Sequence, residues 1–381
     1  MLASKLLPSA ILLLSSATRQ FVAPGGAAPA DSAAIRVAFS ATGGTVTREG
    51  LYTAGSSAGA FRVIASSAVL ADTATVAVSR SSGSKSSSGS KSSSGIPFGP
   101  FAAWNATGLK ANTEVFTASI GSINPDNILE RIAIARDKRM KLILTMTGGA
   151  HENYLTDGVF DMAKWQAKMD DYKTPTIIAA VAAAVADGTI IGNSVMDEPH
   201  VSGRGDGNTW GPRGTMTKER VDHMCAYVKE MFPTLPVGVV HPHKAFEPAH
   251  PYRVCEFLVD QYSWRHGDVA QFRDDGLALA RRDGIAIVFG MNILNGGIQA
   301  RGHGSWDCSL TSTGGRGTHE PNCRMTPEQV RDWGRLLGAA GCALVLWQYD
   351  DAFMANPENQ RAFADLAGLL ATIPAKSCRR T

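Results

Sequence analysis

From residue 96 onward the chain repeats one unit: a short apolar run rich in β-branched residues, then a longer amphipathic stretch. The apolar runs fall at 97–104, 115–120, 141–147, 189–196, 236–240, 257–262, 285–291 and 343–347. Helical spacing of apolar residues covers 125–138, 161–170, 175–186, 217–231, 268–282, 327–340 and 357–371. Parallel strands require a long crossover, and a helix packed back on the sheet supplies it. Eight strands in roughly 280 residues, alternating with helices, predict an α/β domain of the (β/α)8 TIM-barrel type. An open doubly wound sheet is the structural alternative, but no G-x-G-x-x-G opens a helix in this chain.

The N-terminal part follows a different rule. Between residues 35 and 80 short alternating runs are separated by turn residues, with no helical period. Residues 80–95 are a Ser/Gly/Lys tract that cannot bury apolar surface and reads as a flexible tether. The expected organisation is a small all-β sandwich over 1–79, the tether over 80–95, the barrel over 96–375 and a tail over 376–381. Three segments resemble the bacterial Ig-like modules of secreted proteins: Ser40-Ala41-Thr42-Gly43-Gly44, Gly50-Leu51-Tyr52-Thr53-Ala54-Gly55, and Leu70-Ala71-Asp72-Thr73-Ala74-Thr75-Val76. Such modules open with a strand pair, and residues 10–14 and 17–23 fit that slot. On that reading the apolar run at 10–14 is a strand rather than a signal-peptide core, and any export signal lies upstream.

Charge and cysteines narrow the function classes. A net charge of +3 with no basic run or aromatic-interleaved basic patch argues against nucleic acid, and the N-terminal apolar run is too short to span a bilayer. None of the six cysteines forms a C-x-x-C pair. An even count with a long irregular loop suits an oxidising compartment, hence a secreted or cell-surface protein. Cys308 and Cys323 bracket a Gly/Ser/Thr-rich loop that a disulfide would staple, adding about 3 kcal/mol by chain entropy. The pairing of Cys225, Cys255, Cys342 and Cys378 stays open among three connectivities; Cys342 with Cys378 is a plausible one, because a strand start and the end of the last helix share the barrel bottom. A monomer is expected.

The strand ends carry the functional signal. Trp104 follows the first strand, and His151, Glu152 and Asn153 follow the third. Asp197 and Glu198 end the fourth, and His241 and His243 the fifth. Asp260, Tyr262 and Trp264 close the sixth, and Asn292 the seventh. Trp347, Tyr349, Asp350 and Asp351 close the eighth. The opposite ends are bland (Lys141, Thr189, Pro236, Ile285). In a (β/α)8 barrel the C-terminal strand ends carry the chemistry. Carboxylates set among aromatic rings suit glycoside cleavage, where rings stack on sugars and carboxyls handle the proton and the oxocarbenium-like state. His241-Pro242-His243 could also be read as metal ligands, with His151 and Asp350 completing a site. The more natural roles there are substrate hydrogen bonds or a loop cap, so no metal or cofactor is expected.

Residues 96–375 resemble the barrel glycoside hydrolases through Asp197-Glu198-Pro199 on the fourth strand and Trp347 on the eighth. The large retaining clan of that fold ends its fourth strand in Asn-Glu-Pro, so the resemblance implies Glu198 as acid/base. Two departures stand out: Asp occupies 197, and the seventh strand, Ile287-Val288-Phe289-Gly290-Met291-Asn292, has no Glu for a nucleophile. An Asp-Glu pair at this place also resembles barrel hexosaminidases, in which Asp197 would orient the substrate's acetamido group and Glu198 would act as acid. A third arrangement sets Glu198 against Asp260 or Asp350 across an inverting water. The expected catalytic set is therefore Glu198, Asp197, Asp260 and Asp350. The expected sugar-contacting set is Trp104, His151, Glu152, His241, His243, Tyr262, Trp264, Asn292, Trp347, Tyr349 and Asp351. The expected function is hydrolysis of O-glycosidic bonds in a carbohydrate, against the alternatives of a non-catalytic carbohydrate-binding barrel or a metal-dependent hydrolase.

Overall fold

The computed structural model describes residues 10–14, 18–20, 37–55, 57, 59–66, 71–79, 95–105, 108–148, 151–201, 210–297 and 323–380. Most of the expected tether, the whole 298–322 segment and with it Cys308 lie outside the described residues. The chain divides into two compact units, Met1–Ser90 and Lys91–Thr381. Among the described residues no helix is long and apolar enough to cross a membrane.

The first unit is all β among its described residues. A four-stranded sheet runs in the order Ala10–Leu14, Ala71–Ser79, Gly59–Ser66, Ala38–Ala41, and a three-stranded one in the order Thr18–Gln20, Leu51–Thr53, Thr45–Val46. The two N-terminal strands do not pair with each other. Ala10–Leu14 runs parallel to Ala71–Ser79, and Thr18–Gln20 joins the other sheet against Leu51–Thr53. Val63, Ala74 and Val76 from the larger sheet and Tyr52 from the smaller share one buried cluster. The Tyr52 hydroxyl donates to the Gly43 carbonyl at 2.6 Å, so burying the ring does not strand its polar end.

The second unit is a parallel barrel. Its eight strands in chain order are Phe98–Pro100, Ala118–Ser122, Lys141–Thr145, Ile190–Asp197, Val237–Val240, Phe257–Tyr262, Ala286–Asn292 and Ala343–Trp347. Neighbours in the sheet follow chain order from the second to the eighth, and the eighth pairs with the first. A narrow seam joins first to second through the Phe101–Ile120 bridge and the bond from Ala102 N to Ile120 O at 3.0 Å. That seam needs Gly99, because a Cβ there would lie 1.7 Å from the Ala118 oxygen.

The interior is packed. Ile120, Ile143, Phe257, Val259, Val288 and Val345 fill it. Phe257 fits because Gly192 and Gly238 face its ring; a Cβ on either would come within 2.6 Å of it. Large against small across facing positions is how a barrel of this size reaches interior packing density.

Element ends follow local chemistry. Pro175–Ala186 and Pro357–Ala371 begin where the sequence places them, because Pro sits at the first turn and Thr174 or Asn356 accepts the free N–H groups. The first strand is shorter than the expected 97–104: Pro100 offers no N–H, and Ala102 takes φ 57°. The second starts at Ala118, since Thr113–Phe116 closes a turn first.

Two disulfides are formed among the described residues, Cys225–Cys255 and Cys342–Cys378. The second pins a C-terminal strap over the N-terminal end of the barrel. There Arg380 donates to the carbonyls of Tyr252, Cys255 and Asp283, at 3.2, 3.0 and 2.6 Å. Removing this disulfide with Cys342→Ser plus Cys378→Ser is expected to cost about 3–4 kcal/mol, since it closes a loop of separation 36. Urea unfolding of the two forms at one pH checks this; equal midpoints would show that the strap holds without its covalent pin.

Candidate active site

The fourth strand ends in an irregularity. Ser194 pairs with Gly238 and Asp197 with Val240, so three residue steps on this strand meet two on its neighbour. Such a bulge turns the chain and re-aims the side chains that follow. As a result Val195 and Met196, which would face opposite sides of a regular strand, share the outer hydrophobic core, and Asp197 comes next, among the residues that line a cavity at the barrel mouth. Glu198 then adopts φ 46°, left-handed and costly for a residue with a Cβ. Its N–H is bonded to the Val240 carbonyl (2.8 Å) and its own carbonyl to the Val201 N–H (3.0 Å).

The cavity lies in the C-terminal mouth and measures about 150 Å³. The ends of strands one, two, three, four, five and eight contribute to it through Phe101, Ser122, Thr145, Asp197, Val240 and Trp347. The Trp347 ring meets Phe101 edge to face at 5.2 Å, and the Trp347–Gln348 peptide is cis. Burial and then the neighbouring Glu198 charge push the Asp197 carboxyl up to about 7. Burial also raises Glu198, whose carboxylate has no hydrogen-bond or ion-pair partner among the described residues. A carboxyl that keeps its proton to near-neutral pH is suited to donating it to a leaving oxygen.

Behind the pair stands Trp210, which the strand-end pattern did not single out. It is 1 % exposed, and its indole N–H donates to the Asp197 carbonyl at 2.8 Å. Its ring lies 4.1 Å from His151 and 5.7 Å from Phe160. The available signal was a lone Trp soon after Asp-Glu-Pro-His, hidden by the Gly-rich loop between them.

Several expected site residues are elsewhere. On the sixth strand Phe257 and Val259 face the barrel interior, so Asp260 and Tyr262 face the helices. Asp260 is 0 % exposed and accepts from the His243 backbone N–H at 2.9 Å and its ring Nδ1 at 2.8 Å. A Cβ on Gly276, in the helix Val269–Asp283, would lie 2.5 Å from its Oδ2. Asp260 is therefore a buried structural acid rather than a carboxylate at the mouth. His241 faces the same way: its Nε2 meets the Tyr252 hydroxyl at 2.8 Å, and burial drops its pKa to about 3. The two histidines thus engage different partners, and among the described residues no group of three His, Cys, Asp or Glu is placed to hold a metal. Tyr262 is buried against Phe272 and Trp333, with its hydroxyl on the Gly267 carbonyl.

The eighth-strand loop also uses its polar groups internally. Asp350 caps the helix Asp351–Ala355 through Phe353 N (2.8 Å) and lies 3.6 Å from Arg324. Tyr349 is 6 % exposed, with its hydroxyl bonded to Asp351 and to the Ala111 carbonyl. Trp104 stacks over Arg131, 4.8 Å away, on the hairpin after the first strand. Glu152 is exposed on the turn His151–Tyr154. Asn292 accepts from the Asn295 N–H (3.2 Å), and Trp264 ties the sixth strand to the next loop through its backbone N–H to the Gly296 carbonyl (3.0 Å). Of the residues singled out in the sequence, Asp197 and Trp347 line the central cavity and Glu198 adjoins it.

No family model and no curated protein matches the chain. Solved structures of similar fold include an endo-β-1,4-mannanase from Thermotoga petrophila, at 12% identity and TM-score 0.45, covering 73% of this chain and 77% of that one. Another is a GH10 xylanase from Thermobacillus composti, at 12% identity and TM-score 0.41, covering 72% and 97%. A third is an endo-1,4-β-mannanase from Eisenia fetida, at 11% identity and TM-score 0.39, covering 68% and 81%. The barrel assignment rests on the strand order itself, and the functional reading on the geometry of the mouth.

Proposed function

We propose that the barrel hydrolyses O-glycosidic bonds, with Asp197 and Glu198 as its acid/base pair. The observation that carries this reading is Asp197, which lines the central cavity just past a bulge and whose carboxyl is pushed up to about 7. In the reaction the C1–O bond breaks, the leaving oxygen takes a proton from the pair, the oxygen of water ends on C1 and a proton from water restores the acid. Trp347 and Phe101 offer the apolar wall for the sugar ring.

Asp197 is the one carboxylate among the described residues that line the cavity. A pair on one strand end cannot straddle the scissile bond as two opposed carboxyls do. That favours a form in which the substrate's own acetamido group attacks C1 while one member of the pair orients it. The same bare wall also suits the second reading, a barrel that binds carbohydrate without cleaving it. The first unit then acts as an Ig-like module, residues 80–95 as its tether, and the two disulfides fit export to an extracellular or cell-surface site.

Release of reducing ends from manno-, xylo-, cello- and chito-oligosaccharides tests this. Turnover is expected on at least one series, and turnover confined to the N-acetylated one would select the acetamido form. Saturable binding without turnover on every series would replace hydrolysis with the binding reading.

A further inference from the structure

Beyond the central cavity, a second and larger space opens between the loops after strands four and five. It measures about 740 Å³ and is lined by Pro199, His200, Trp210, Arg213, Thr215 and Glu247, among others. The two spaces meet the chain at consecutive residues: Asp197 lines the first, Pro199 and His200 line the second, and Glu198 lies between them. Trp210 belongs to both arrangements, walling the larger space while its indole holds the Asp197 carbonyl.

The volumes are unequal in a way that matters for a chain substrate. A cavity near 150 Å³ is about the size that encloses one six-membered ring, whereas about 740 Å³ falls in the range that takes a ligand of several rings. The linings differ too. The larger space carries an exposed guanidinium, Arg213, with no partner among the described residues, together with the Thr215 hydroxyl and the His200 imidazole. Burial holds His200 neutral down to about pH 4, so it offers hydrogen bonds rather than charge across the working range. The Glu247 carboxylate is already committed to the Lys218 backbone N–H at 2.7 Å. Such a surface suits the hydroxyl-bearing rings of a saccharide.

We propose that the terminal sugar of a glycan chain occupies the central cavity and the rest of the chain, as leaving group, occupies the cleft between the fourth- and fifth-strand loops. The scissile bond then crosses Glu198, and the enzyme removes single sugars from a chain end. This rests on the hydrolase reading above and adds to it the mode of attack.

The test uses the full chain, reducing-end-labelled manno-, xylo-, cello- and chitohexaose, and the matching glycosyl fluorides of both anomers. Fluoride is a leaving group that needs no cleft. Stepwise shortening to a labelled pentasaccharide plus a monosaccharide is the expected early product pattern. Labelled di- and trisaccharides at early times would overturn the proposal and leave hydrolysis intact, whereas no turnover of hexaoses or fluorides would overturn both. Ala245→Trp, at an exposed position of the cleft wall, is expected to raise KM for the hexaose at least tenfold and to leave kcat/KM on the fluoride within twofold. An equal effect on both substrates, or none on the hexaose, would remove the cleft from the substrate path. Thermal melts of this variant confirm that it folds.

Discussion

Glu198→Gln and Asp197→Asn are each expected to lower kcat/KM on any hydrolysed glycan by about 10²–10⁴-fold, the usual worth of a positioned general acid or base. Asp197→Asn also carries a stability signature. The Asp197 carboxyl is raised to about 7 in the folded protein from an ordinary value of 3.8. The folded state therefore binds the proton more tightly than the unfolded chain does. The stability this contributes is fully present below about pH 4 and is lost as pH rises through about 7. An amide has no proton to lose, so Asp197→Asn is expected to match the wild-type Tm near pH 4 and exceed it at pH 8. Activity that depends on the protonated carboxyl falls on the same limb, as pH rises through about 7. Full turnover in Asp197→Asn would show that Asp197 is not the acid, and a Tm below wild type at pH 8 would show that its carboxylate is not an uncompensated charge.

The second large effect concerns Asp260, which carries no chemistry in this structure. Asp260→Ala leaves the His243 backbone N–H and ring nitrogen without their acceptor in a fully buried place. Orphaning two buried donors and opening a small void is expected to cost about 2–5 kcal/mol. At about 2 °C per kcal/mol for a unit of this size, Tm falls by about 4–10 °C. At a temperature where both proteins remain folded, kcat is expected to stay within an order of magnitude of wild type. A normal Tm with kcat reduced a thousandfold would return Asp260 to the reacting atoms and reverse the reading given above.

The contrast between Asp197 and Asp260 shows how far the sequence reaches. Both are acids at predicted strand ends, and a linear pattern treats them alike. On the sixth strand regular alternation sends Asp260 outward, because Phe257 and Val259 already claim the interior. On the fourth strand alternation fails, because the bulge between Ser194 and Asp197 inserts an extra step. The sixth-strand outcome could have been anticipated from periodicity once the larger interior-facing residues were assigned. The bulge could not, since it arises from how two strands register. His241 and His243 mislead for a related reason: adjacent strand-end histidines look like ligands until their partners, Tyr252 and Asp260, are brought in from distant parts of the chain.

By itself the sequence determined the barrel and most of its element boundaries, because these depend on local chemistry. The caps at Thr174, Thr326 and Asn356, the prolines that follow them and the apolar periodicities act within a few residues of one another. Only the tertiary structure decided which strand-end groups share a cavity. That selection depends on a bulge, on a left-handed Glu198 and on Trp210 returning to hold the Asp197 carbonyl. Each is a contact or a conformation imposed by packing, and side-chain direction at a strand end follows packing rather than residue type.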